Sequence, residues 1–123
     1  MARILLVDDD ELLRNVLALT LQKMGHVVVE ARNGRDALEL CAEGLPDLLF
    51  TDLIMPEQEG LETIATIRQL HPAVKIIAMS GGGRGDATDY LKSARLLGAD
   101  RTLHKPFTQE AMARAIAEVG ATA

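Results

Sequence analysis

Five short apolar runs, each too brief for a helix, alternate along this chain with five segments of helical periodicity. The runs are Ile4-Leu5-Leu6-Val7, Val27-Val28-Val29, Leu48-Leu49-Phe50-Thr51, Lys75 to Ser80 and Arg101 to His104. Apolar runs of this length bounded by breakers read as strands buried on both faces. After the first run, Leu13, Val16, Leu17, Leu21 and Met24 recur at helical spacing until Gly25 stops them. Asn33-Gly34 makes a turn, and Ala37, Leu38, Leu40 and Cys41 mark a second helix closed by Gly44 and Pro46. Leu61, Ile64, Ile67 and Arg68 mark a third, ending before His71-Pro72. Tyr90, Leu91, Ala94 and Leu97 form a fourth, closed by Gly98, and Met112, Ala115, Ile116 and Val119 a fifth.

Such alternation makes parallel β-α-β units with helices on both faces of a sheet. The chain is therefore read as an α/β protein. It is a doubly wound five-stranded parallel sheet of the flavodoxin-like (βα)5 kind, with strand order 2-1-3-4-5. Its 123 residues suit one domain, taken as 1–123 with a core from about residue 2 to 119 and no output domain. Hydrophobic residues are 48% of the chain but aromatics only 2%, so the core is aliphatic. A net charge of −5 with no Lys/Arg cluster gives no footprint for nucleic acid. No apolar run reaches the length of a membrane span. Cys41 stands alone, which excludes a disulfide framework, fits a reducing compartment and makes a cytoplasmic protein the expectation.

Ligands of open parallel sheets bind beyond the carboxyl ends of the strands. The residues at those ends are Asp8-Asp9-Asp10, Asp52, Ser80 and Lys105. In the order 2-1-3-4-5 the first, third, fourth and fifth strands are neighbours, so these side chains converge on one edge. Three or more carboxylates in one pocket need a counter-charge. A divalent cation with oxygen ligands and water, Mg2+ above all, supplies it. Lys105 adds a fixed positive charge and Ser80 a hydroxyl, which together suit a phosphoryl group. Each residue has a plainer use as well: Asp10 as a helix cap, Ser80 as a turn residue, Lys105 as a solvated charge. His26, His71 and His104 are too scattered for a metal site.

Val7-Asp8-Asp9, Asp52 with Met55-Pro56, Ser80 and Lys105-Pro106-Phe107 resemble the signature of response-regulator receiver domains, the phospho-accepting modules of two-component signalling. The resemblance spans essentially the whole chain, with four motifs in the family's order. It implies that Asp52 takes a phosphoryl group from a histidine kinase or phosphotransfer protein. It implies further that Asp8, Asp9, Asp52 and the backbone carbonyl of Ile54 hold Mg2+, that Lys105 pairs with phosphoryl oxygens, and that Ser80 turns toward them. A cis bond between Lys105 and Pro106 is implied too. The expected output is a change of protein contacts around helix 4, strand 5 and helix 5, felt by a downstream target that the sequence does not name. The domain is expected to be a phosphoacceptor with slow self-dephosphorylation at most, not an enzyme.

Three positions depart from the family pattern. Thr102 stands where receivers carry Tyr or Phe, three residues before the lysine, which removes the ring of an aromatic-rotamer switch. Gly81-Gly82-Gly83-Arg84-Gly85-Asp86 is a longer and more glycine-rich loop than usual. Ile54 is apolar where a side chain would overlook the acyl phosphate, and is expected to restrict water there. Two other readings compete. A haloacid-dehalogenase-type phosphatase would use Asp8 and Asp10 as its D-x-D opening, but it needs a later acidic pair and leaves Asp52 without a role; only Glu110 and Glu118 follow Lys105. A receiver-like interaction module that is never phosphorylated would have no need of the full acid, hydroxyl and lysine set.

Overall fold

The computed structural model describes residues 1–53, 60–81 and 87–120. Five strands, β1 (Arg3–Val7), β2 (Val27–Ala31), β3 (Leu48–Asp52), β4 (Lys75–Ser80) and β5 (Arg101–His104), alternate with five helices. The helices are α1 (Glu11–Lys23), α2 (Gly34–Glu43), α3 (Gly60–Leu70), α4 (Ala87–Leu97) and α5 (Gln109–Val119). All strand pairs are parallel and the order is β2-β1-β3-β4-β5, the doubly wound flavodoxin-like arrangement.

Alternation along the strands sorts the core into two layers. Ile4, Leu6, Leu48, Phe50, Ile77 and Met79 face α1 and α5, where Leu17, Leu21, Met112 and Ile116 meet them. Leu5, Val7, Leu49, Ile76 and Ala78 face the other way, onto Ala37 and Cys41 of α2, Ile64 and Ile67 of α3 and Ala94 of α4. All five residues of β3 are buried, as a central parallel strand requires. Cys41 packs in this second layer as a small apolar residue.

The helix stripes and breakers differ from the sequence reading in detail. In α1 the buried set is Arg14, Leu17, Ala18 and Leu21, while Val16 is 52% exposed. A step of about 100° per residue puts Val16 beside that stripe rather than in it. Leu97, the last residue of α4, is likewise half exposed. Strand β2 runs on to Ala31 because Glu30 and Ala31 pair with Leu6 and Val7; a charged residue hid that extension. Asn33 does not turn the chain with Gly34 but caps α2, accepting the Asp36 amide at 2.9 Å. Gly25 (φ 98°) and Gly98 (φ 123°) follow α1 and α4 in the left-handed region that L side chains avoid. Among the described residues no helix is long and apolar enough to cross a membrane.

Candidate functional site

The carboxyl edge of the sheet opens into a cavity of about 340 Å³ lined by Asp8, Asp9, Asp10, Asp52, Ser80, Gly81 and Lys105. Asp52 is the last residue of β3, Ser80 the last of β4, and Asp8 and Lys105 directly follow β1 and β5. The fold thus brings together residues up to 97 positions apart. Carboxylate oxygens of Asp8, Asp9 and Asp52 lie within 4.8 Å of one another.

Asp8 is almost wholly buried. One of its oxygens accepts the Asp10 amide at 3.0 Å, and the other lies 3.3 Å from Lys105 Nζ. The same ammonium is 3.4 Å from Asp52 Oδ1, which also accepts the Leu53 amide at 3.0 Å. One lysine is therefore shared by two buried acids. Burial pushes the Asp52 carboxyl up to about 6; Lys105 pulls it back and the negative charge of Asp8 adds to the rise. Ser80 Oγ is buried without a hydrogen-bond partner among the described residues. A buried hydroxyl in that condition costs about 1–3 kcal/mol relative to a satisfied one, so it is suited to an incoming oxygen.

Not every strand-end residue shares this role. Asp10 is the N-cap of α1, its side chain accepting the Leu13 amide at 3.1 Å. Thr102 lies on β5 opposite Ala78, half-buried, and does not line the cavity. His104 is exposed, its Nδ1 2.8 Å from the Lys105 carbonyl oxygen. The Lys105–Pro106 bond is cis. Ile54, the Met55-Pro56 pair and residues 82–86 of the glycine loop lie outside the described residues. Two participants escaped the sequence reading. A Cβ on Gly81 would overlap the Lys105 side chain and come within 2.8 Å of its Cα, so only glycine lets the lysine pass. Arg14 is buried in α1 and donates to the Asp8 carbonyl at 2.9 Å. The glycine had a signal, standing first in the run after Ser80; the arginine had none in the apolar stripe.

The response regulator receiver domain model matches residues 4–117, nearly the whole fold and every residue of the cavity. The chain belongs to that family. The receiver is 34% identical over 117 residues to the chemotaxis protein CheY of Halobacterium salinarum, covering 95% of each chain. It is 38% identical over 115 residues to the transcriptional regulatory protein CpxR of Escherichia coli, covering 93% of the receiver but only 47% of CpxR. The crystal structure of the receiver domain of NtrX from Brucella abortus matches with a TM-score of 0.88 at 27% identity, covering 98% of the receiver and 99% of that chain. With the family shown and Asp10 engaged as a cap, the dehalogenase-type opening at Asp8 and Asp10 loses its second acid.

The donor set fits a hard divalent cation. It is all oxygen, and among the described residues its three acids outnumber the one ammonium, that of Lys105, which pairs with two of them.

Proposed function

We propose that the receiver accepts a phosphoryl group on Asp52 from the phosphohistidine of a histidine kinase or phosphotransfer protein, in a Mg2+-dependent reaction. The observation that supports it best is the charge imbalance at Asp52: a buried carboxylate shares the Lys105 ammonium with Asp8. Asp8, Asp9 and Asp52 would hold the ion, together with the backbone carbonyl of Ile54. When bound, Mg2+ supplies positive charge against the developing charge on the phosphoryl oxygens.

The chain's own groups account for the rest. An Asp52 carboxylate oxygen forms the new bond to phosphorus as the phosphorus–nitrogen bond breaks, and the imidazole leaves with the electron pair and takes up a proton. Lys105 Nζ, held near both Asp8 and Asp52, faces the phosphoryl oxygens. The Ser80 hydroxyl donates to one of them, which satisfies its orphaned oxygen. The acyl phosphate carries about 1.5–2 negative charges where the carboxylate carried one. That field acts on β4, β5 and the start of α4, and biases contacts on the α4, β5 and α5 face with a downstream protein. Thr102 belongs to this path without the ring that a rotating aromatic would supply.

The test is incubation of the full chain with Mg2+ and a small acyl-phosphate donor, read by intact mass. A single phosphoryl adduct is expected, absent in Asp52→Ala and absent when Mg2+ is chelated. An adduct that persists in Asp52→Ala but vanishes in Asp8→Ala would overturn the assignment. Gly81→Ala is expected to slow adduct formation by about 10–100-fold, because displacing Lys105 by a fraction of its length misaligns the positive charge. The same mass assay over time checks it.

A further inference from the structure

The guanidinium of Arg14 is a charged group set among the apolar contacts of α1, with the residue only 7% exposed. Its Nη1 donates to the Asp8 carbonyl oxygen at 2.9 Å, and its Nε pairs with Glu30 Oε1 of β2 at 3.0 Å. The Asp8 amide in turn donates to the Ala31 carbonyl at 3.2 Å. The turn after β1 is thus tied to β2 through both polar groups of the Asp8 backbone.

The carbonyl that Arg14 holds belongs to the peptide joining Asp8 to Asp9. Asp8 needs no help in aiming its carboxylate, since the Asp10 amide and Lys105 fix both oxygens. Asp9 has no such restraint. Its side chain is exposed, and among the described residues its carboxylate has no hydrogen bond or ion pair. Its direction is set by the torsions on either side of the Asp8–Asp9 peptide, and Arg14 fixes the plane of that peptide. A planar fork can serve a carbonyl and a carboxylate together, which a lysine ammonium on a flexible stem does less well.

We propose that Arg14 is a positioning residue that aims Asp9 into the cavity through the Asp8–Asp9 peptide, with Glu30 anchoring the guanidinium. The proposal rests on the reading of the cavity as a Mg2+ site. Groups outside the direct ligands that orient them typically govern affinity by about 10–100-fold.

Thermal unfolding of the full chain across a Mg2+ titration tests it, with the half-saturating Mg2+ concentration as the readout. Arg14→Met is expected to raise that concentration by about tenfold, and Arg14→Lys by at least about threefold. Glu30→Gln, at a more accessible position, moves it the same way by less and decides the matter alongside Arg14→Lys should the Met variant not fold. At saturating Mg2+ the phosphoryl adduct forms in the variants at near the parent rate, a split between affinity and rate that a general loss of structure would not produce. Lower melting temperatures with an unchanged half-saturation in Arg14→Lys and Glu30→Gln overturn the role of Arg14. A parent chain whose melting temperature ignores Mg2+ overturns the Mg2+ reading itself.

Discussion

Asp52→Asn is expected to stabilise the metal-free receiver at pH 7 by about 1–3 kcal/mol, the free-energy equivalent of the raised carboxyl in the folded chain. The sign follows from proton counting. With the folded value near 6 and the ordinary value at 3.8, the native chain binds more protons than the unfolded chain between those limits. The contribution of protonated Asp52 is complete below about pH 4 and is lost as pH rises through about 6. An asparagine has no charge to desolvate, and its carbonyl oxygen can still accept from the Leu53 amide and Lys105. It also leaves Lys105 paired one-to-one with Asp8. Urea unfolding of parent and variant from pH 4 to 8 should show curves that converge at the acid end and separate toward neutrality. A difference that does not change with pH contradicts the burial of an ionised Asp52. Mg2+ should reverse the ranking, because ligand at about 100 times its dissociation constant adds about 2.7 kcal/mol to the chain that binds it. The variant lacks one of the proposed ligands and gains less.

Gly60→Ala is expected to destabilise the fold by about 2–3 kcal/mol, near the upper range for overpacking a tight site. A Cβ at this position would overlap the Asp52 carbonyl oxygen and the Leu53 backbone. Backbone atoms cannot swing aside as a flexible side chain can. The Gly60 amide also donates to the Leu53 carbonyl at 3.0 Å, so the start of α3 is laced directly onto the end of β3. Any retreat of α3 would disturb the Asp52 carbonyl that accepts the Thr51 hydroxyl at 2.9 Å, and with it the end of β3 that lines the cavity. Gly25→Ala gives the contrast. There the added atom meets nothing within 4 Å, and only the positive φ of 98° is strained, for about 1–2 kcal/mol. Denaturant midpoints of the two variants, compared with the parent, check the ranking. A Gly60→Ala chain as stable as Gly25→Ala would show that α3 can shift freely on β3.

The sequence by itself determined the parallel sheet between helices and the set of residues that end its strands. Apolar runs and helical stripes are local signals, and alternation of the two admits only a few right-handed doubly wound sheets, of which β2-β1-β3-β4-β5 is the one formed. The residues that end the runs must then meet, whatever the side chains between them do. Asp8, Asp52, Ser80 and Lys105 reach one cavity for that reason. Tertiary structure decided which of three consecutive acids does what. Asp8, Asp9 and Asp10 have the same chemistry and adjacent positions. Yet Asp8 is buried against Lys105, Asp9 lines the same cavity while exposed, and Asp10 is spent on the α1 cap. Only the angle at which the chain leaves β1 separates them. The same holds for Arg14, Gly60 and Gly81, whose roles depend on partners that sequence distance conceals: Glu30, the Asp52 carbonyl and Lys105. The raised Asp52 carboxyl is likewise a property of burial and of the neighbouring Asp8 charge, which Lys105 only partly offsets, and neither can be read along the chain.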